Sequence, residues 1–350
     1  MPAYTFMPFL REMSASADIW LSVFVAVFYI ALFSAPLLIF RIKFKEKSLV
    51  EAFKAVAGNA VAKAIAVLYV LILIINFTVF FSYMLRFAGA SVLQETPVWA
   101  IALVILVPVT YAICKGGGAI ARISLYIVPF VLASLLLFAL FGVKAEGLKS
   151  MLPVGASGFK NIHFTGFLMA SQFSEIIVFF VFASWLNKDK KIIKSYALTL
   201  TIFLIASLFI IIPIISVLGF NYAKITPNPY YVFTRQVVFY PTIEKFQSIN
   251  TLITIPAGIL KLSAYGFTAS LILKELLPKV KREILSISLA VIIFVLSLLP
   301  IVSRAVFSPY GYNVLSYITI GAYAGIPLLL MPLLVRRTKR TAHNERLIQN

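Results

Sequence analysis

The chain has 350 residues, of which 61% are hydrophobic and only 12% charged, with a mean hydropathy of +1.00 and a formal net charge of +19. A soluble domain is about half apolar and about a quarter charged, so the composition excludes that class and leaves a polytopic membrane protein. A single cysteine, Cys114, and two histidines far apart, His163 and His343, exclude an internal disulfide framework and argue against a catalytic metal centre.

At about 20 residues per span the length holds roughly ten helices with short connections. Apolar runs predict nine: Ile19 to Phe40, Ala64 to Leu85, Val98 to Cys114, Leu125 to Val143, Phe164 to Leu186, Ser195 to Gly219, Thr251 to Leu273, Ile284 to Val302, and Asn313 to Val335. Between the first two, LVEAFKAVAGN (Leu49 to Asn59) is amphipathic and is expected along the membrane interface. The connection KGGGAIAR (Lys115 to Arg122) lacks the spacing of a phosphate loop and does not follow a strand, so it reads as a flexible hinge. Phe220 to Asn250, rich in Tyr, Phe and Pro, is the longest connection and is expected to carry a short helix. Prolines recur within the spans, from Pro36 to Pro332, and suit membrane-helix kinks.

The charge follows the same alternation. Loops carrying Arg41 to Lys54, Lys115 and Arg122, Lys188 to Lys194, Lys274 to Arg282 and Arg336 to Arg346 hold 20 basic residues, against 9 in the loops opposite. By the positive-inside rule the basic set is cytoplasmic, with the C-terminus inside. The excess is therefore a topology signal, and no nucleic-acid partner is expected; the tail at 336–350 reads as a solvated basic end near anionic headgroups of the lipid bilayer.

An odd number of spans leaves the N-terminus outside, where Arg11, Glu12 and Asp18 would have to cross without a preceding span. The segment MPAYTFMPFLREMSASADIW reads instead as the outer end of a helix and a turn, so the expectation is a start placed one helix late. Ten spans with both ends inside suggest a leucine-transporter-like 5+5 inverted repeat. On that count the single transmembrane domain divides into a first repeat at 1–143 lacking helix 1 and a second repeat at 164–335, and Phe164 to Leu186 is helix 6.

Ionisable side chains in a membrane interior cost about 2.5–3.5 kcal/mol on insertion scales, which singles out Glu175 and Lys261. Each lies ten or eleven residues from the outer end of its span, about 15 Å deep, so the two share a level and an ion pair is allowed. Around Glu175, the small and polar Gly166, Ser171, Gln172 and Ser174 suit a locally unwound helix, although small residues also serve close helix packing. Asn76 and Tyr83, seven apart on the second span, lie on one helix face, and Tyr265 adds a ring near Lys261; these nine residues are the candidate ligand-binding set. Neither a catalytic triad nor a pair of catalytic carboxylates is visible, so an enzyme, a cofactor or a bound metal is not expected.

Six segments occur in one order: ADIWLS (Ala17 to Ser22), TPVWAI (Thr96 to Ile101), KGGGAIARIS (Lys115 to Ser124), MLPV (Met151 to Val154), QFSEII (Gln172 to Ile177) and VFTRQVVFYPTIEKFQSIN (Val232 to Asn250). Together they resemble the spore germination permease family, the B subunits of nutrient germinant receptors, in the amino acid–polyamine–organocation superfamily. The resemblance implies a membrane subunit that binds a small nutrient such as an amino acid at the midplane. It also implies receptor A and C subunits as partners and an inner spore membrane or cell membrane location. A proton-coupled amino acid transporter using Glu175 and a non-transporting membrane scaffold are the competing readings.

Overall fold

The computed structural model describes residues 10, 13–45, 47–173, 175–185, 189–237, 247–300 and 308–335. Among the described residues every regular element is helical. The first half contains α1 (Ile19–Lys43), α2 (Leu49–Ala57), α3 (Asn59–Ser91), α4 (Val98–Lys115), α5 (Gly117–Gly142) and the single turn α6 (Ala145–Leu148). The second contains α7 (Phe159–Ser171), α8 (Glu175–Phe182), α9 (Asp189–Leu218), α10 (Phe220–Ile225), α11 (Pro229–Gln236), α12 (Gln247–Leu276), α13 (Arg282–Leu298) and α14 (Pro309–Ile320). The last of these continues through a π-turn at Gly321–Gly325 and on to 335, which completes the span Asn313–Val335. The fold is an all-α polytopic membrane protein.

Among the described residues seven helices are long and apolar enough to cross a bilayer, and α7 with the bent segment Glu175–Trp185 makes an eighth when the pair is counted as one span. At 17 residues α13 sits at the short end of the spanning range, about 17–25 residues. It also corrects a boundary: the run expected to reach Val302 stops at Leu298, two residues before Pro300, because proline removes a donor and pushes the preceding residue out of the helical region. The basic tail beyond residue 335 lies outside the described residues.

Helix ends follow local chemistry. Ser48 opens α2 with a reciprocal capping box: its hydroxyl accepts from the Glu51 N–H at 3.0 Å, while its own N–H donates to the Glu51 carboxylate at 2.9 Å. Gly58 (φ 89°) separates α2 from α3 and Gly116 (φ 97°) separates α4 from α5, each a one-residue break in a conformation that favours glycine. The expected hinge at KGGGAIAR is accordingly a packed corner. A Cβ on Gly117 would lie 2.2 Å from the Trp185 ring and 2.5 Å from that of Phe267, and Arg282 clamps the corner by donating to the Cys114 carbonyl at 3.1 Å. The amphipathic α2 turns Leu49, Val50, Phe53 and Val56 onto the protein, where Phe53 meets Phe40 and Tyr69 edge-on. In the long connection after α9, two short helices appear, α10 and α11, where one was expected; residues 238–246 lie outside the described set.

Helix α1 packs on α7 and α9, α3 on α12, α4 on α12 and α13, α5 on α9 and α12, and the π-turn on α1. At the end away from the basic loops, Asp18 accepts the amide N–H groups of Gly155 and Ser157, both at 2.8 Å, and the Thr165 hydroxyl accepts those of Ser14 and Ala15. The segment ADIWLS is thereby tied to the loop that follows MLPV, across 137 residues of chain. At the basic end, buried Arg41 donates to the carbonyls of Phe44, Lys45 and Lys47 and fixes the turn into α2.

Candidate functional site: an ion pair at a broken helix

The site is built on the discontinuity between α7 and α8. Helix α7 ends at Ser171, α8 begins at Glu175, and the two directions differ by 47°. The helix closes with tight turns, the Gln172 and Phe173 N–H groups donating to the carbonyls of Met169 and Ala170 at 3.2 and 3.0 Å. The Ser171 hydroxyl donates to the Leu168 carbonyl at 2.6 Å, and the Gln172 amide donates to the hydroxyls of Ser171 and Ser316 at 3.2 and 3.0 Å. Glu175 is the first residue of α8, where the helix dipole favours a negative charge.

Facing it from the middle of α12, Lys261 places its Nζ 2.5 Å from the Glu175 Oε1. The shared depth expected from sequence is thus a direct contact. The lysine side chain is 4% exposed and the glutamate 17%. The ammonium also lies over the Phe80 ring of α3, 4.2 Å from its centroid, with the Tyr265 ring at 5.7 Å, so the cation is held by a carboxylate and two aromatic faces. Among the described residues neither Glu175 oxygen accepts a well-directed hydrogen bond, which leaves acceptor capacity on the carboxylate. Glu175 also borders a cavity of about 290 Å³ between α5, α8 and α12, lined by Ser124, Val178, Phe182, Leu260, Lys261 and Tyr265 among others. The volume approaches that of small-molecule sites, about 300–1,000 Å³. Toward the basic loops, Phe182, Trp185 and Phe267 form an aromatic cluster above Gly117.

The nine candidate residues divide between several environments. Glu175, Lys261 and Tyr265 share the cavity. Ser171 and Gln172 lie buried at the break beside it and bond to α7 and α14. Gly166 serves close packing: a Cβ there would stand 2.6 Å from Val25 Cγ1 and 3.0 Å from the Ser22 carbonyl oxygen of α1. Buried Asn76 donates to the Ile72 carbonyl of its own helix at 2.9 Å. Tyr83 lines a separate small cavity of about 30 Å³, roughly one water, with Asn250, Thr254 and Tyr231. Ser174 lies outside the described residues. Sequence reasoning missed Phe80, Ser316 and Tyr323. The last two were signalled only by polar groups in the last span, and Phe80 by nothing that separates it from other apolar residues.

Fold and site together define an integral, multi-pass membrane protein with a buried ion pair at the break of a discontinuous helix. Residues 3–304 match the family model described as spore germination protein, which covers most of the chain. The chain belongs to this spore germination permease family and is a germination-related membrane protein. No curated protein matches the sequence.

Proposed function

We propose that the protein is the membrane subunit of a spore nutrient germinant receptor, binding a small nutrient such as an amino acid at the midplane and signalling to A and C subunits. The observation that carries this reading is the Glu175–Lys261 pair on the wall of the 290 Å³ cavity. A zwitterionic ligand offers one cation and one anion, the two groups that can exchange partners with such a pair. The adjoining break supplies the structural freedom, since a ligand that binds one arrangement of α7 and α8 better than another shifts their populations. The role is non-enzymatic. The end bearing Arg41, Lys115, Lys274 and Arg282 is assigned to the cytoplasm by the positive-inside rule.

The test is ligand-dependent germination in a deletion strain complemented with Glu175→Gln or Lys261→Met. Both variants should lose or strongly blunt the response to amino acids while inserting normally, and wild-type ligand dependence in both would overturn the reading. A second reading, proton-coupled amino acid transport, is favoured by the position of an ionisable carboxylate beside the cavity. Uptake of a labelled amino acid by proteoliposomes, driven by a pH gradient and abolished by Glu175→Gln, would replace the receptor reading with this one.

A further inference from the structure

The last span contains a π-turn whose cause is legible atom by atom. The Ile326 N–H donates to the carbonyl of Gly321, five residues back, instead of that of Ala322. In a regular ladder Ala322 would accept from Ile326; the next donor along the chain would belong to residue 327, which is proline and has no N–H. The Ala322 carbonyl is therefore orphaned by its own helix. The Tyr69 hydroxyl of α3, wholly buried, donates to it at 3.1 Å. Gly321 and Gly325 bracket the turn with nothing within 4 Å of their Cβ positions, so close packing does not require them and they leave the backbone free to rearrange.

The same span holds the broken helix on both sides of this turn. Before it, the Ser316 hydroxyl accepts from Gln172 at 3.0 Å. Within it, the Tyr323 hydroxyl donates to the Ala170 carbonyl at 2.9 Å, in the last turn of α7. Tyr69 in turn packs edge-on against Phe53 of α2, 5.9 Å between centroids. At the start of α2, Ser48 donates to Glu275 at 2.7 Å, near the end of the helix that carries Lys261. Contacts thus run continuously from the break beside Glu175 to the amphipathic helix at the basic end.

We infer that the π-turn at Gly321–Gly325 is a two-register switch that couples the break between α7 and α8 to α2, with Tyr69, Ser316 and Tyr323 as its positioning residues. In the alternative α register Ile326 returns to the Ala322 carbonyl and Tyr69 is released. The 309–320 portion then turns by about 100°, one residue's worth of helix, and carries Ser316 away from Gln172. A discrete shift of this kind is a bistable element that two sites can bias. Its biological use rests on the receptor reading; the register exchange does not.

The register can be read by spin labels placed singly at Tyr317 and Ile318 in a Cys114→Ser background, with molecular oxygen as the collision probe in liposomes. The two positions are 57% and 43% exposed and lie about 100° apart on the lipid-facing arc. In the native sequence both labels should be oxygen-accessible. Pro327→Ala removes the ring that opposes the Tyr323 carbonyl in the α register and gives that register its 327-to-323 bond, while Tyr69→Phe takes from the π register the donor that serves Ala322. In each variant, and more fully in the double variant, one label should become shielded while the other stays accessible. Native accessibility at both positions in all three variants would overturn the inference, and Pro327→Ala alone provides this result where the tyrosine variant inserts poorly. In complemented spores given a complete L-amino-acid mixture, the register variants should change the threshold of the response. An unchanged threshold alongside shifted labels would overturn the coupling to α2. A failure of the unmodified protein itself to respond would instead overturn the receptor reading, leaving the label result to decide the switch.

Discussion

Glu175→Gln and Lys261→Met should each cost far more alone than the two do together. The glutamine removes the carboxylate 2.5 Å from the ammonium of a side chain that is 4% exposed and lies over the Phe80 ring. Breaking a buried pair in this way costs about 3–5 kcal/mol. The Phe80 face, worth about 0.5–2 kcal/mol, continues to hold the cation, which places the expected loss near 3 kcal/mol. Lys261→Met strands a glutamate whose two carboxylate oxygens are both buried and accept no other hydrogen bond among the described residues, so its cost should also be about 3–5 kcal/mol. The double variant has no charge left to strand and should fall within about 1 kcal/mol of the native protein. Thermal unfolding of the four proteins in nanodiscs, closed as a double-mutant cycle, gives the coupling directly. Single costs that add in the double variant to within about 0.5 kcal/mol would refute the assignment of a buried pair in which each charge depends on the other.

Three further outcomes follow from the packing. Gly147→Ala should destabilise by more than about 3 kcal/mol, since its Cβ would fall 1.7 Å from the Ser216 carbonyl oxygen and only backbone movement relieves that; a variant as heat-stable as the native protein would contradict it. Asp18→Ala should cost about 1.5–3 kcal/mol by stranding the Gly155 and Ser157 amides, and limited proteolysis should then cut the 153–158 loop faster than in the native protein. Ser48→Ala should cost about 1 kcal/mol and raise hydrogen exchange at the Glu51 amide, with Ser48→Thr restoring protection.

What could be read in advance depended on the distance over which each feature is decided. An apolar run declares a span by itself, so the nine expected spans recur as helices or as the broken pair, with α13 shortened at Pro300. Glu175 and Lys261 stood out because a charge within such a run is costly wherever its partner lies. Their common depth followed from counting helical rise along two separate spans. Asn76 and Gly166 show where that reasoning stops: a polar or small residue in a span serves a ligand, its own helix or a neighbour, and sequence does not distinguish these. One bonds to Ile72 and the other lets α1 approach α7.

By itself, then, the amino-acid order determined the membrane class, the spans, the basic end and the two interior charges, because each is a property of a single segment in a low-dielectric solvent. Tertiary structure alone decided that Lys261 meets Glu175 over Phe80, that Ser316 and Tyr323 hold the broken helix, and that the π-turn persists. Pro327 removes a donor from the last span, and the group that compensates, the Tyr69 hydroxyl, lies 253 residues from its acceptor and reaches it only when α3 and α14 pack together.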